Sequence, residues 1–362
     1  GLTEGAAIAF LVAHNLGGEI SGCTNNADVL CNAPENPSVA RAALIGYSLA
    51  GSNIRDCVNY GNVTIDMGTH GAGTGYIGTV SGRFTSSPET IGCGIFNCKN
   101  YGALTINVGT SNTSNFYIGA VTGSSNSYTV TEGCENYGNL TFNSNNSGAA
   151  VCLGGITSYS AGEIKNCINE GNVTFKSTAQ LKGTIVAGIT PYQNGPISGC
   201  TNKGEIYMEG GIFGGRNTVG SISTSAATSS AAPTAAGVVG YGYSSSGSPF
   251  SMDNCHNYGK VTYNWFETDG SGTSGRTQVA GVIGSPWGDV TNCNNYGDLT
   301  FIAKYKSAIV NHLSYIGGIA GSDYYAKSQS EFVSDAIRFY IGYLQQGKNV
   351  DYLAPIIAQT IK

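Results

Sequence analysis

Cysteine is the residue whose number and spacing most suggest chemistry in this sequence, because a thiolate can act as a nucleophile or a metal ligand. The chain of 362 residues has 11 cysteines. Eight of them begin the pattern Cys-x-Asn-x-Gly, and only the first copy departs from it, with Ala27 in place of glycine. The cysteines are Cys23, Cys57, Cys98, Cys134, Cys167, Cys200, Cys255 and Cys293. The asparagines are Asn25, Asn59, Asn100, Asn136, Asn169, Asn202, Asn257 and Asn295. This recurrence indicates an internal repeat that governs the fold.

The repeat predicts how the thiols are arranged. In a stack of coils the eight cysteines would lie above one another, about 4.8 Å apart, which is the spacing of neighbouring strands. We interpret them as a column of reduced, buried thiols that pack like small apolar side chains. Disulfide bonds between neighbouring coils are the alternative, although in-register side chains rarely reach the dihedral angle of a disulfide. Outside the column lie Cys31, Cys93 and Cys152, and Cys93 could pair with Cys98.

Carboxylates are the next candidates, since glycan-cleaving chemistry needs two of them at a defined separation. The best local pairs are Glu267 with Asp269 and Asp253 with Asp289. At the start of the last predicted strand of each repeat, neighbouring copies do not carry two acids in succession. The residues there are Asn62, Ala103, Asn139, Asn172, Glu205, Lys260 and Asp298. We therefore interpret the two acid pairs as solvated loop residues.

The four histidines are scattered through different positions of the repeat. They are His14, His70, His256 and His312. His256 follows Cys255, a pairing that would suit a metal or a nucleophile, but this cysteine already belongs to the column. We predict no catalytic residue, no metal site and no cofactor.

Tyrosine recurs between the asparagine and the glycine of the repeat. The residues at this position that could bind a ligand are Tyr60, Tyr101, Tyr137, Tyr258 and Tyr296, with Glu170 and Lys203 as interruptions. In register, these rings would form an external aromatic column. Such a column could be structural, packing ring on ring, or it could contact sugars or proteins.

These residues must be positioned by short strands, of which three are predicted in each repeat. One repeat illustrates them: a small-residue strand from Leu153 to Ser158, a strand around Cys167, and a third strand from Asn172 to Phe175. Apolar residues alternate with polar ones in the last two. The asparagines are predicted to lie in turns, where left-handed geometry is tolerated, and to hydrogen-bond from coil to coil. The fold class predicted is all-β, a right-handed parallel β-helix of about eight coils.

The last 40 residues break the pattern. Apolar residues from Phe332 to Leu344 follow helical spacing, and Gly347 stands where such a helix would end. A small C-terminal helical cap would cover the exposed strand edges of the last coil. The sequence therefore predicts a β-helix domain over residues 1–322 and a helical cap over residues 323–362.

Composition excludes several classes of function. Charged residues make up 11% of the chain, the net charge is −5, and 22 tyrosines outnumber the 17 lysines and arginines. Nucleic-acid binding needs clustered Lys and Arg, which the sequence lacks. The longest apolar run, Ala6 to Ala13, is shorter than the roughly 20 residues of a transmembrane helix. No secretion signal stands at Gly1, and we expect any signal or anchor to lie outside this sequence.

Two stretches resemble a known motif. Gly317 to Gly321 and Gly162 to Val173 together resemble the GLUG motif, a short repeat of bacterial surface proteins, and the resemblance extends over roughly Ile8 to Gly321. Thr190 and Pro191 depart from its small-residue strand. The resemblance implies a β-solenoid in a secreted or surface-anchored protein with adhesive or spacer roles, and it transfers no catalytic residues.

The functional expectation is a non-enzymatic, extracellular or cell-surface protein that acts as an adhesin-like binding module. Its partners would be glycans or surface proteins, and the chain would be a monomer. A glycan-active β-helix enzyme, either a polysaccharide lyase or a hydrolase, and a passive structural stalk are the alternatives.

Overall fold

The chain forms a right-handed parallel β-helix, which confirms the predicted fold class. The computed structural model describes residues 7–32, 40–49, 51–67, 74–109, 115–144, 151–181, 183–212, 233–244, 249–266, 275–304 and 312–321. The helical cap predicted for residues 323–362 lies outside the described residues, so the division into two domains stays a prediction. Within the described residues, one short 3-10 helix, Pro88–Thr90, interrupts the strands.

Five parallel sheets, named A to E in the order in which each coil visits them, form the walls of the β-helix. Sheet A contains Ala7–Ala9, Ala40–Ala42, Thr74–Ile77, Asn115–Gly119, Val151–Gly154, Ile185–Ala187, Thr234–Ala236, Gly275–Ala280 and His312–Gly317. Sheet B contains Val12–Asn15, Ile45–Ser48, Ser81–Phe84, Thr122–Ser125, Thr157–Ser160, Thr190–Gln193, Val239–Gly242 and Ile283–Ser285.

The other three sheets carry the residues around the repeat motif. Sheet C contains Glu19–Ser21, Asn53–Arg55, Cys93–Phe96, Thr129–Glu132, Glu163–Lys165, Pro196–Ser198, Ser251–Asp253 and Asp289–Thr291. Sheet D contains Thr24–Asn25, Val58–Asn59, Lys99–Asn100, Glu135–Asn136, Ile168–Asn169, Thr201–Asn202, His256–Asn257 and Asn294–Asn295. Sheet E contains Val29–Asn32, Val63–Met67, Leu104–Val108, Leu140–Ser144, Val173–Leu181, Ile206–Ile212, Val261–Phe266 and Leu299–Lys304.

Each full coil thus has five strands, and the prediction of three was wrong. The small-residue strand divides at a corner into a sheet A strand and a sheet B strand, and the cysteine strand divides into sheets C and D. The second division falls at the residue before each column cysteine, where φ lies between 49° and 64°. Those eight residues are Gly22, Asp56, Asn97, Gly133, Asn166, Gly199, Asn254 and Asn292. Glycine, asparagine and aspartate are the residues that enter this left-handed region most readily.

The predicted left-handed turn at the asparagines after the cysteines was therefore wrong. Those asparagines, such as Asn136, are the last residues of the short sheet D strands. The corner is turned three residues earlier in the chain, which leaves the asparagine side chains directed into the interior. Six of the eight are completely buried.

The interior is filled by two rows of apolar side chains. One row packs sheet E against sheet A and includes Phe142 and Leu153, both fully buried. The other packs sheets B and C together with the column cysteines, including Ile164 and Cys167. Full burial of a side chain of this size contributes about 1.5 to 3 kcal/mol. Hydrophobic burial along the whole stack therefore holds the coils in register.

The glycine of the repeat is required by the closeness of the coils. A Cβ atom on Gly102 would lie 1.9 Å from the carbonyl oxygen of Gly61 in the preceding coil, and one on Gly61 would lie 1.9 Å from that of Ala27. No real Cβ atom approaches a backbone oxygen so closely, so only glycine fits. Ala27 belongs to the first described coil, where the described residues place no preceding carbonyl. This accounts for the single departure from the repeat pattern.

Candidate functional site

The cysteine column lies inside the β-helix, where its thiols are shielded from solvent. The six central cysteines are fully buried, whereas Cys23 and Cys293 at the two ends are half-buried. Each thiol points at backbone carbonyls, as in Cys167, whose Sγ lies 3.4 Å from the Lys165 oxygen and 3.6 Å from the Thr131 oxygen. None of the 11 cysteines forms a disulfide.

Burial raises the pKa of the Cys167 and Cys200 thiols well above the ordinary value. A thiol becomes a nucleophile or a metal ligand only when it is deprotonated. These two thiols therefore stay protonated at neutral pH and behave as packing groups. Within the described residues, no group of three or more His, Cys, Asp or Glu side chains is placed to hold a metal ion.

The asparagine column lies beside the thiols and is a continuous chain of amide hydrogen bonds. Nδ2 of Asn136 donates to Oδ1 of Asn169 in the next coil at 2.7 Å, and Oδ1 of Asn136 accepts from Nδ2 of Asn100 at 2.8 Å. The same Nδ2 also donates to the Gly138 carbonyl at 2.9 Å. Seven such coil-to-coil bonds join all eight asparagines. Buried amides need these partners, because an unpaired buried polar group is strongly destabilising.

The tyrosines follow the asparagines on the outside of the corner and are held in register by the backbone. The amide of Tyr101 donates to the carbonyl of Asn59 at 2.8 Å, and the amide of Tyr137 donates to that of Asn100 at 2.7 Å. The same bond recurs at Tyr258 and Tyr296. The ring positions are thus set by the hydrogen bonds of the stack itself.

The structure brings the five tyrosines together in two groups. The first tyrosine column is Tyr60, Tyr101 and Tyr137, with ring centroids 5.0 Å and 4.7 Å apart and planes within 10°. The second tyrosine column is Tyr258 and Tyr296, with centroids 4.7 Å apart. All five rings are exposed, from 37% at Tyr137 to 62% at Tyr296. Because the rings stack face to face, each column presents ring edges and hydroxyls to solvent.

An ion pair fills the gap between the two columns. Lys203 Nζ lies 2.8 Å from Glu170 Oε1, and the two side chains are 50% and 38% exposed. A surface pair of this kind contributes only about 0 to 1 kcal/mol. The position therefore tolerates charged residues as well as aromatic ones.

A charged pair that the sequence pattern did not predict flanks the first tyrosine column. Lys99 Nζ lies 2.9 Å from Glu135 Oε2, and the hydroxyl of Tyr137 donates to the same carboxylate. Hydrogen bonding to this carboxylate raises the pKa of Tyr137 to about 12. Both residues directly follow column cysteines, so aligning the repeats at that position would have placed them side by side.

The other candidates do not form a reactive site in the described residues. The Asp253 carboxylate accepts hydrogen bonds from Thr291 Oγ1 at 2.7 Å and from Asn292 Nδ2 at 2.8 Å, which lower its pKa. A carboxylate in that state is a poor proton donor. Asp289 is exposed on a neighbouring coil. Glu267, Asp269 and His70 lie outside the described residues, as does the side chain of His312.

The two remaining histidines take part in local contacts. The ring of His14 packs edge-on against Tyr47, with centroids 5.8 Å apart. The ring nitrogens of His256 face the side chains of Asn254 at 3.0 Å and Asn294 at 3.4 Å. Neither histidine meets a carboxylate or thiol group that would form a metal site with it in the part of the chain that the structure describes.

Comparison with protein families, curated proteins and solved structures finds no match for this chain in any of the three. The GLUG motif therefore remains a resemblance of sequence. Among the described residues there is also no helix long and apolar enough to span a membrane.

Proposed function

We propose that this protein is a non-enzymatic, exported surface protein that binds glycan or surface-protein ligands in the manner of an adhesin. The observation that carries the proposal is the pair of exposed tyrosine columns on the outside of the β-helix. Five large rings, each at least 37% exposed, stand in register on a backbone that is hydrogen-bonded from coil to coil.

Preorganisation supports a binding role for these rings. A ligand that contacts a mobile aromatic side chain must offset the entropy lost when that side chain becomes ordered. Here Tyr101 is stacked between Tyr60 and Tyr137, so most of that ordering precedes binding. Tyrosine also offers an apolar ring and a polar hydroxyl, a combination that is enriched in recognition surfaces.

The charges beside the columns favour an uncharged or mixed partner. Lys99 pairs with Glu135, and Lys203 pairs with Glu170, so each of these two lysines is accompanied by an acid. Neither pair leaves a basic patch of the kind that phosphate backbones require. Glycans and protein surfaces fit this environment better than nucleic acids.

A binding screen on glycan and host-protein arrays tests the proposal. We expect the intact protein to bind, and we expect binding to fall at least about tenfold when Tyr101 and Tyr137 are both replaced by alanine. The variant Tyr258→Ala with Tyr296→Ala measures the second column separately. Thr105→Ala is the control, because Thr105 lies on a strand of sheet E and not at the position of the repeat that carries the tyrosines.

Two results would count against the proposal. Absence of binding on every array would favour the passive stalk. Binding that survives both double replacements would show that the binding site lies outside the tyrosine columns. Export is tested separately, by labelling intact cells of the source with antibody: a protein that becomes accessible only after lysis is not a surface protein.

A further inference from the structure

A groove on the outer face of sheet C is a second feature with the properties of a binding site. It has a volume of about 510 Å³ and extends over four consecutive coils. Its lining includes Ile91, Tyr128, Val130, Glu132, Glu163 and Lys165. The volume lies within the range of about 300 to 1,000 Å³ that is usual for small-ligand sites.

Strand register brings the charged residues of the groove together. Glu132 and Lys165 are direct partners on neighbouring strands, and Glu163 lies two residues before Lys165 on the same strand and the same face. Lys165 Nζ lies 3.2 Å from Glu163 Oε2 and 3.9 Å from Glu132 Oε2. The result is a lysine held between two carboxylates.

These three residues, Glu132, Glu163 and Lys165, form a charged row that can still make hydrogen bonds with a ligand. Its three side chains are 30% to 38% exposed, and each carboxylate has a second oxygen that is not the one nearest the lysine. Two carboxylates and one ammonium give a local charge of −1 from these three residues. The row can therefore accept hydrogen bonds from hydroxyl or ammonium groups, and it repels an anion.

The rim of the groove supplies an apolar surface of a kind that the tyrosine columns lack. Tyr128 is 39% exposed, and within the described residues its ring does not stack on another ring. Ile91 on the same rim is 76% exposed. By contrast, the Phe96 ring is covered by the Arg55 guanidinium at 3.9 Å and is only 9% exposed. Tyr128 is thus the aromatic ring of this groove that a ligand can cover.

We propose that the groove binds a short oligosaccharide made of neutral or amino-bearing sugars. A pyranose ring has an apolar face of C–H groups and a rim of hydroxyls. The apolar face matches Tyr128 and Ile91, and the hydroxyls match the carboxylates of Glu132 and Glu163. The negative charge of the row attracts an amino sugar and increases its affinity for the groove. The same charge repels an acidic sugar and excludes it.

Titration of the full chain with three probes tests this proposal. The probes are oligomers of N-acetylglucosamine, which are neutral, of glucosamine, which are cationic at pH 6, and of galacturonate, which are anionic. By calorimetry we expect binding of the first two, with the cationic probe weakened by added salt. Galacturonate should bind at least about tenfold more weakly.

Variants assign the binding to the groove. Tyr128→Ala should weaken binding of the neutral probe about tenfold or more, and Glu132→Gln with Glu163→Gln should remove the preference for the cationic probe. Asp289→Asn is the matched control, since it removes an exposed acid from the same sheet outside the groove. Thermal unfolding of each variant should match that of the unaltered protein, because these side chains are partly solvated.

Three results would overturn the proposal. They are binding of galacturonate as tight as that of the neutral probe, binding that these variants leave unchanged, and absence of binding by all three probes at millimolar concentration. The Tyr101→Ala and Tyr137→Ala replacements should leave this binding unchanged, so failure of this site and failure of the tyrosine columns can be told apart.

Discussion

The asparagine column and the tyrosine columns are one residue apart in every coil, yet one is unbroken and the other is interrupted. Asparagine occupies all eight inner positions, and each amide bonds to its neighbours in adjacent coils. The outer position carries tyrosine in five coils, but the other three coils carry Asn26, Glu170 and Lys203. A buried amide requires hydrogen-bond partners at defined positions, whereas an exposed side chain only has to avoid clashes. The inner column therefore serves the fold, and the outer position is available for recognition.

Gly138→Ala should have the largest effect, because it forces apart the coils on which the inner column depends. The new Cβ would lie 2.0 Å from the carbonyl oxygen of Gly102 and 2.6 Å from its carbon. Since both are backbone atoms, the coils themselves must move, and we expect a loss of about 3 kcal/mol or more in the free energy of unfolding. Urea unfolding followed by circular dichroism measures it. Ala27→Gly, at the same position of the first described coil, should change stability by no more than about 1 kcal/mol, and equal losses in the two variants would contradict the explanation.

Asn136→Ala should have the next largest effect. It deletes the bonds to Asn169 and to the Gly138 carbonyl and leaves buried polar groups without these partners. We expect a loss of about 2 to 3 kcal/mol. Asn139→Ala is the control, because Asn139 is exposed and accepts one hydrogen bond, from the amide of Asn172 at 3.0 Å. The control should lose less than about 1 kcal/mol, and a loss as large as that of Asn136→Ala would refute a special role for the buried amides.

The cysteine column predicts a loss of stability at alkaline pH. Burial raises the pKa of thiols such as Cys167 in the folded chain, so the stability that each protonated thiol contributes is complete below the pKa of the unfolded chain. It is lost as the pH rises above that value. We expect the Cys167 thiol to contribute a loss of about 1 kcal/mol between pH 8 and pH 10. Cys167→Ala should accordingly show a shallower decline over this interval, measured by urea unfolding at each pH.

The same variant supplies its own control at lower pH. Between pH 6 and pH 8 the Cys167 thiol is protonated in both the folded and the unfolded chain, so the stability difference between Cys167→Ala and the unaltered protein should stay constant. Parallel declines of the two proteins above pH 9 would show that the Cys167 thiol does not contribute to the alkaline loss.

Glu170→Tyr combined with Lys203→Tyr should have the smallest effect on stability. The two replacements join the tyrosine columns into one and exchange a surface ion pair for new ring contacts. We expect stabilisation of about 1 kcal/mol, since each aromatic contact contributes roughly 0.5 to 1.5 kcal/mol and the lost pair about 0 to 1 kcal/mol. If the columns bind ligands, array binding should also increase. Alanine at both positions is the control. Equal binding by the alanine and tyrosine variants would show that the positions of Glu170 and Lys203 do not take part in ligand recognition.

Alignment of the repeats predicted the columns because their members share one position in successive copies. When coils stack, residues at one position must lie above one another, so Cys134 and Cys167 become neighbours without further information. The five-strand coil was not predictable in the same way. Its corners depend on residues such as Asn97 and Gly133, which are common in turns of every kind, and nothing in their types separates a corner between two strands from a loop.

The groove on sheet C shows a second limit on what the sequence can predict. Glu132 and Glu163 lie in separate repeats and in different local sequences. Neither local sequence indicates that the two carboxylates share one site. Both precede column cysteines, at two and four residues, and comparison of those positions across repeats would have shown the charged row. It would not have shown the hollow beside it, which depends on how far Tyr128 and Ile91 project from their turns.

The sequence alone determined the period of this protein and the identity of its stacked columns, because both follow from the recurrence of residue types at one spacing. Only the tertiary structure decided which wall each residue faces and which side chains from separate coils share a groove. The physical reason is that a repeat specifies what each coil contributes, whereas corner angles and strand register specify where those contributions meet.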